Sequence, residues 1–191
     1  MNAGATTLGL LAGGRATRLG GIDKAWLERG GVAQVLRLAD RVRSEVDAVM
    51  ASANRDHDRY AAHGMAAVAD RFTGIGPLGG LDALAEACAT PWLLTLPVDL
   101  LSVNDCLLRS LRAAGETGAF AEDDDGMQPL VALWRVAALR AALPAAIASG
   151  AHAVHQLQAG LGMAPVRFEG VRFGNLNTPS DLAAAGMAAS P

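Results

Sequence analysis

With 191 residues the chain has room for one compact domain with a substantial core and is short for two. Hydrophobic residues make up 51% and charged residues 18%, which excludes a disordered chain, while the longest apolar runs, 92–98 and 183–189, fall far below the roughly 20 residues that span a bilayer. The formal charge of −3, from 16 basic and 19 acidic residues, excludes a broad electrostatic footprint for a nucleic-acid backbone or an anionic membrane, so neither is expected as a partner.

Residues 7–12 form a short apolar run that stops at Gly13-Gly14, as a buried parallel strand does on entering a loop. After that loop Val32, Val35, Leu36, Ala39 and Val42 recur at helical spacing. A strand over 46–52, a polar stretch over 54–59 and a strand over 65–70 follow, then the Gly- and Pro-rich segment 74–77, with Pro77 suited to a helix N-terminus. Leu78, Leu81, Leu84 and Ala85 mark a helix that ends before Pro91, and 92–98 is an apolar strand ending at Asp99. Alternation of strand and helix through the first hundred residues predicts an α/β fold, a Rossmann-like, doubly wound and mostly parallel sheet with helices on both faces. Beyond it, 107–114 reads as a helix, 118–121 and 130–134 as a small antiparallel hairpin around the acidic turn 123–126, and 136–149 as an Ala-rich helix. Segments 166–168 and 171–173 read as a final strand pair, and Thr178 as the cap of a last helix opened by Pro179. Residues 1–4 lack the charged and apolar regions of a secretory signal, so a soluble, cytoplasmic protein is expected. Cys88 and Cys106, in apolar surroundings and without metal-site spacing, read as buried reduced thiols.

Ligands of open α/β sheets bind where the strands run out, so the positions to inspect are Gly13-Gly14, 52–54, Asp70 and Asp99. The first loop carries the strongest signal. Glycines let backbone N–H groups approach an anion, and Arg15, Arg18 and Lys24 bring positive charge to the same stretch, a setting for polyphosphate. The loop matches neither the GxxxxGK[ST] nor the GxGxxG pattern, which disfavours an ordinary P-loop or dinucleotide site. The acidic run 122–125 reads as a solvated hairpin tip, His152 and His155 as lacking a third metal ligand, and Trp26, Trp92 and Trp134 as packing residues.

Leu11-Ala12-Gly13-Gly14 with Arg18, Gly20-Gly21 and Asp23-Lys24, followed in order by Asp70, by 76–81, by Leu96-Pro97-Val98-Asp99 and by 175–179, resembles the molybdenum cofactor guanylyltransferases. The resemblance implies one nucleotidyltransferase domain over 1–191, with a nucleotide-binding half to about residue 100 and an acceptor-binding half beyond. It implies Mg²⁺-dependent transfer of GMP from GTP to the terminal phosphate of the molybdopterin cofactor, with pyrophosphate released. By the same resemblance Leu11, Ala12, Gly13, Gly14, Lys24, Ser52, Asp70 and Asp99 bind the nucleotide, Asp99 holds the magnesium, and Arg18 and Lys24 neutralise the departing pyrophosphate. Asn175 and Asn177 match the acceptor side. The chain departs from the family in having Ser52, with Asn54 two positions on, where an asparagine is usual, and Leu100-Leu101 where a small polar residue and proline are common. A molybdopterin cytidylyltransferase, a sugar-phosphate nucleotidyltransferase and a non-catalytic nucleotide-binding module are the alternatives. The expected protein is a monomer with transient contacts to other proteins of cofactor synthesis and to recipient apo-enzymes.

Overall fold

In the computed structural model residues 4–13, 23–150 and 152–189 are described. β1 (Thr6–Leu11) is buried along its whole length. A 3-10 turn over Lys24–Trp26 is capped by the Asp23 carboxylate, which accepts from the Ala25 amide at 3.0 Å. β2 (Leu27–Arg29) and β3 (Val32–Ala33) pair antiparallel across Gly30-Gly31, whose φ of 61° and 77° form the left-handed pair that a two-residue type I′ hairpin requires. Then follow α1 (Gln34–Val42), β4 (Ala48–Ser52), α2 (His57–Ala62), β5 (Ala66–Val68), α3 (Pro77–Ala87) and β6 (Trp92–Pro97). The second half comprises α4 (Leu107–Ala113), β7 (Gly118–Asp123), β8 (Gly126–Arg135), α5 (Val136–Ala148), α6 (Val154–Gly160), β9 (Ala164–Arg167), α7 (Pro179–Ala184) and β10 (Ala188–Ala189).

Seven strands form one sheet in the order β5-β4-β1-β6-β8-β7-β9. The β1–β4, β1–β6, β4–β5 and β7–β9 pairs are parallel and β8 is antiparallel to both β6 and β7, so β8 alone is reversed. Six strands therefore deliver their carboxyl ends to one edge. The expected hairpin is β7–β8, joined to the main sheet through β6. A second, three-stranded antiparallel sheet, β10-β2-β3, brings the C-terminal end of the described chain against the segment after Lys24.

Alternate side chains of the strands feed two cores, one on each face. Leu8, Leu10, Leu94 and Leu96 pack with Val35 and Leu38 of α1 and Leu111 of α4, whereas Leu11 and Leu93 pack with Leu81 and Leu84 of α3 and Leu139 of α5. Fully burying one such leucine contributes about 1.5–3 kcal/mol. This double layer is the doubly wound arrangement that the strand–helix alternation predicts. Trp26, Trp92 and Trp134 are all buried, as packing residues should be.

The differences from the sequence reading have local causes. Val32 lies in β3 and is exposed, and the helix begins only at Gln34, because Gly30-Gly31 closes a hairpin there. Part of the polar stretch 54–59 belongs to α2, which buries only Tyr60 and so shows no apolar period. Of the proposed final strand pair only one member exists: β9 pairs with β7, while 171–173 stays out of the sheet. The reason is Asp123. Instead of lying at a solvated tip it is fully buried, and its Oδ2 accepts the Phe173 amide at 2.9 Å, occupying the donor that a strand partner would need. Burial, the largest single influence, pushes the Asp123 pKa up, but donors from Phe173, Gln128, Asp125 and Gly126 together hold it below the usual carboxylate value. Cys88 is buried as expected, whereas Cys106 is half-buried, with its sulfur 2.9 Å from a guanidinium nitrogen of Arg109.

Candidate active site

The strand order reverses between β1 and β6: β4 and β5 lie to one side of β1, and the rest of the sheet extends beyond β6. Such a switch point opens a crevice beyond the carboxyl ends of its two strands. Here a cleft of about 690 Å³, counting its open mouth, is lined by Leu11, Ala12, Gly13, Lys24, Gly80 and Asp99. A second, wider hollow shares Ala12, Gly13 and Asp23 and extends over Asn54, Arg55 and Asp70. The backbone at the crevice floor is fixed, because the Ala12 amide donates to the Ser52 carbonyl at 3.0 Å and the Val98 amide to the Leu11 carbonyl at 3.2 Å.

Lys24 sits at the centre. Its ammonium donates to Asn177 Oδ1 at 3.0 Å and lies 3.7 Å from Asp99 Oδ2, joining the segment after β1, the end of β6 and the approach to α7. The Lys24 and Asp99 side chains are 18% and 28% exposed, so both charges face the cleft from a partly desolvated rim where their field is less screened than at the open surface. The loop after β6 is tied to the distant strap carrying the asparagines: the Leu176 amide donates to the Asp99 carbonyl at 2.8 Å, and Leu100 and Asn175 form an antiparallel bridge. From the other side the Gln34 side-chain amide, fully buried, donates to the Leu100 carbonyl. Asn177 is in turn fixed by Asp181, whose Oδ2 accepts the Asn177 and Thr178 amides at 3.0 and 2.8 Å while Thr178 Oγ1 accepts the Asp181 amide, a complete capping box. The Asn177 and Thr178 amides, then the Thr178 hydroxyl and the charge of Lys24, hold the Asp181 carboxyl below the usual range.

Asp70 anchors the second hollow. Its two oxygens accept from Ser52 Oγ at 2.8 Å and Asn54 Nδ2 at 3.0 Å, and its amide donates to Asn54 Oδ1 at 2.9 Å. Ser52 and Asn54 thus share the support of one carboxylate, and Ser52, fully buried, spends its hydroxyl on Asp70 and lies beneath the cleft surface. This contact requires α3 to come very close. A Cβ on Gly80 would lie 2.8 Å from Ser52 Oγ, and one on Gly79 would lie 2.6 Å from the Phe72 carbonyl, so only glycines let the helix seat there. Arg71 then clips the loop to α3 through two 2.8 Å hydrogen bonds to the buried Asp82.

Leu11, Ala12, Gly13, Lys24 and Asp99 therefore line one cleft, Asp70 lies next to it, and Asn177 joins through Lys24, with Asn175 held on the same strap. Gly14 and Arg18 lie outside the described residues, as do Arg15 and Gly20-Gly21. The sequence reading gave no role to Gln34, Asp181 or Arg55, nor a supporting one to Asp23. Asp181 was announced by the Thr178-x-x-Asp181 spacing, and Asp23 by its place directly before the Lys24 turn; Arg55, 3.6 Å from Asp23, carried no local signal. Among the described residues no three His, Cys, Asp or Glu side chains gather to hold a metal ion, His152 and His155 included.

Residues 9–162 match the family description "MobA-like NTP transferase domain". The chain belongs to this family. It is 30% identical over 177 residues to the molybdenum cofactor guanylyltransferase of Yersinia pseudotuberculosis, covering 90% of each chain. It is 32% identical over 131 residues to that of Shewanella putrefaciens, covering 66% of this chain and 67% of the relative. Its fold superimposes on molybdopterin-guanine dinucleotide biosynthesis protein A from Archaeoglobus fulgidus with a TM-score of 0.70 at 19% identity, over 94% of this chain and 96% of the other. Among the described residues no helix is long and apolar enough to cross a membrane.

Proposed function

We propose that the chain transfers GMP from GTP to the terminal phosphate of the molybdenum-bearing pterin, releasing pyrophosphate. The observation that carries this reading is the bridge Lys24 makes between Asp99 on one side and Asn177 on the other, at a crevice floored by Leu11-Ala12-Gly13. A single cation thereby serves both halves of a reaction in which two phosphorylated partners must meet. In this reading Leu11, Ala12, Gly13 and Asp70 hold the nucleotide, residues up to about 100 form its half of the site, and the remainder, with Asn175 and Asn177, receives the pterin. Ser52 acts on the nucleotide through Asp70.

The reaction needs no covalent enzyme intermediate. A terminal phosphate oxygen of the acceptor attacks the α-phosphorus, the bond to the bridging β-oxygen breaks, and that oxygen leaves with pyrophosphate. The chain contributes alignment and charge. Lys24 supplies positive charge to the phosphates, and Asn177 directs the acceptor from the other side of the ammonium. Magnesium fits the donor set: Mg²⁺ is usually held by one or two carboxylates together with water and substrate phosphate, and Asp99 is a cleft-facing carboxylate with no partner closer than the 3.7 Å ion pair to Lys24 among its described contacts. Bound there, the ion would neutralise charge on the nucleotide phosphates.

The test is pyrophosphate release by the purified chain with GTP, Mg²⁺ and the pterin, run in parallel with CTP and ATP. Release with GTP well above the other nucleotides is expected. Release with CTP alone would reassign the base, and no release with any nucleotide would overturn the reading.

A further inference from the structure

We infer that Asp123 is a positioning residue for the acceptor side of the site, fixing from the tip of the β7–β8 hairpin the strap 171–177 that brings Asn175 and Asn177 to Lys24 and Asp99. The inference rests on the guanylyl-transfer reading above and adds a residue to it.

The strap contains no helix and no strand, only the single bridge at Asn175, so its course must be set by point contacts. Phe173 is the pivot, fully buried and clamped on both sides of its peptide units. Its amide donates to Asp123 Oδ2 at 2.9 Å, and its carbonyl accepts the Leu101 and Ser102 amides at 3.1 and 3.0 Å, in the loop that follows Asp99. Asn177 meets Lys24 four residues on. The hairpin tip and the post-β6 loop thus grip one residue at its amide and at its carbonyl, and the Asp123 contact adds the hold of the hairpin to that of the loop.

The Asp123 carboxylate is itself immobilised. Its Oδ1 accepts the Asp125 amide at 2.9 Å and Gln128 Nε2 at 3.1 Å, leaving Oδ2 aimed at Phe173. The tip meets the strap a second time through the Asp124 amide, which donates to the Val171 carbonyl at 2.9 Å, and the tip is itself held to β9 by Arg167, which pairs with Asp124 at 3.0 Å. A carboxylate buried merely as filler would cost stability with nothing gained, since an ion out of water must be repaid by directed donors. Here the donor that repays part of that cost is the strap itself.

A residue of purely structural value, once removed, lowers stability and leaves the kinetics of the folded fraction unchanged. A positioning residue shifts the acceptor terms. Asp123→Ala is made in the full chain, together with Asp123→Asn, which keeps the shape and one acceptor oxygen and carries the same readouts if the alanine variant does not fold. Amide exchange by mass spectrometry is expected to quicken across 171–177 while β1 and α3 stay as protected as in the parent. In steady-state assays the pterin KM is expected to rise about tenfold for Asp123→Ala, the scale of a lost hydrogen bond to a charged group, and less for Asp123→Asn, with the GTP KM within about twofold of the parent. Unchanged exchange across the strap, or an unchanged pterin KM beside lowered stability, overturns the inference. If the parent itself transfers no GMP, the functional reading fails, and the exchange data alone decide whether Asp123 holds the strap.

Discussion

The ammonium of Lys24 and the side-chain oxygen of Asn177, 153 positions apart in the chain, meet at 3.0 Å beside the Asp99 carboxylate. Neither residue is held by its own element alone. Lys24 stands on a turn capped by Asp23, and Asn177 precedes a helix whose capping box includes Asp181, which binds the Asn177 amide. The two capped turns face each other across the crevice, so loss of either cap is felt by both partners.

Lys24→Ala should weaken GTP binding by roughly 1.5–3 kcal/mol, the range for a hydrogen bond to a charged group, with little loss of fold because the side chain is at the rim. Titration calorimetry with GTP checks it; an unaltered affinity would remove Lys24 from the phosphates.

Asp99→Asn keeps the shape of the side chain and removes its charge. Turnover should fall about a hundredfold or more, since a catalytic metal supplies several kcal/mol of charge stabilisation. The thermal midpoint without ligand should change little, and the extra midpoint that Mg²⁺ adds to GTP should vanish. Full activity in this variant would put the metal elsewhere.

Gly80→Ala would set a Cβ 2.8 Å from Ser52 Oγ and 2.9 Å from a Leu11 methyl, so α3 must shift outward. Overpacking of this kind costs typically about 1–3 kcal/mol, and near 200 residues each kcal/mol is worth about 2–4 °C in the midpoint. A scanning calorimeter should record that fall, and GTP affinity should drop with it because Asp70 loses its seat.

Arg140→Ala should separate stability from activity. Its guanidinium donates to the Ala85, Glu86 and Cys88 carbonyls at 2.7, 3.0 and 2.7 Å, satisfying the exposed end of α3 far from the crevice. Chemical denaturation should show a loss of about 1–3 kcal/mol, while the specific activity of the folded enzyme stays at the parent value.

Acid should act through Asp181 and Asp123, both held below the usual aspartate value by hydrogen bonds to their ionised forms. A carboxyl whose folded pKa is depressed stabilises the protein fully above its unfolded pKa, and that stability is lost as pH falls through the folded value. These two groups should therefore leave stability flat from neutrality to about pH 5 and erode it below about pH 4. Denaturant midpoints across that range give the test. Asp181→Asn should flatten part of the acid limb, and an unchanged limb in that variant would mean that other groups set it.

Much of the fold was legible because parallel strands buried on both faces announce themselves as uninterrupted apolar runs. Residues 7–12 and 92–98 read correctly for this reason, and so did α3, whose Leu78, Leu81 and Leu84 follow a helical period into one core. Gly30-Gly31 was a visible hairpin signal, yet Val32 fitted the period of the helix that follows and drew the boundary too early. Asp123 shows a different limit. Four acids in a row look solvated from the sequence, and only the approach of Phe173, 50 positions away, makes burial of one of them affordable. Within the site, Leu11, Asp70 and Asp99 stood at or just beyond strand ends and could be singled out, as could Ser52 and Asn54, although the support that Ser52 and Asn54 share with Asp70 could not; Gln34 acts through a contact that no spacing records, and Asp181 through the capping box alone.

The reversal of β8 alone leaves six strands opening toward one edge and gives the sheet a working margin and a quiet one. At the quiet margin Trp92 lies between the guanidiniums of Arg112 and Arg135, 5.5 and 5.0 Å from its ring, and Thr7 pairs with Thr90 at 2.8 Å. Among the described residues these two regions share no hydrogen-bond partner, so the free-energy effects of changes in them should add. Heat tolerance can then be engineered, or drift in evolution, along one margin while substrate preference changes along the other.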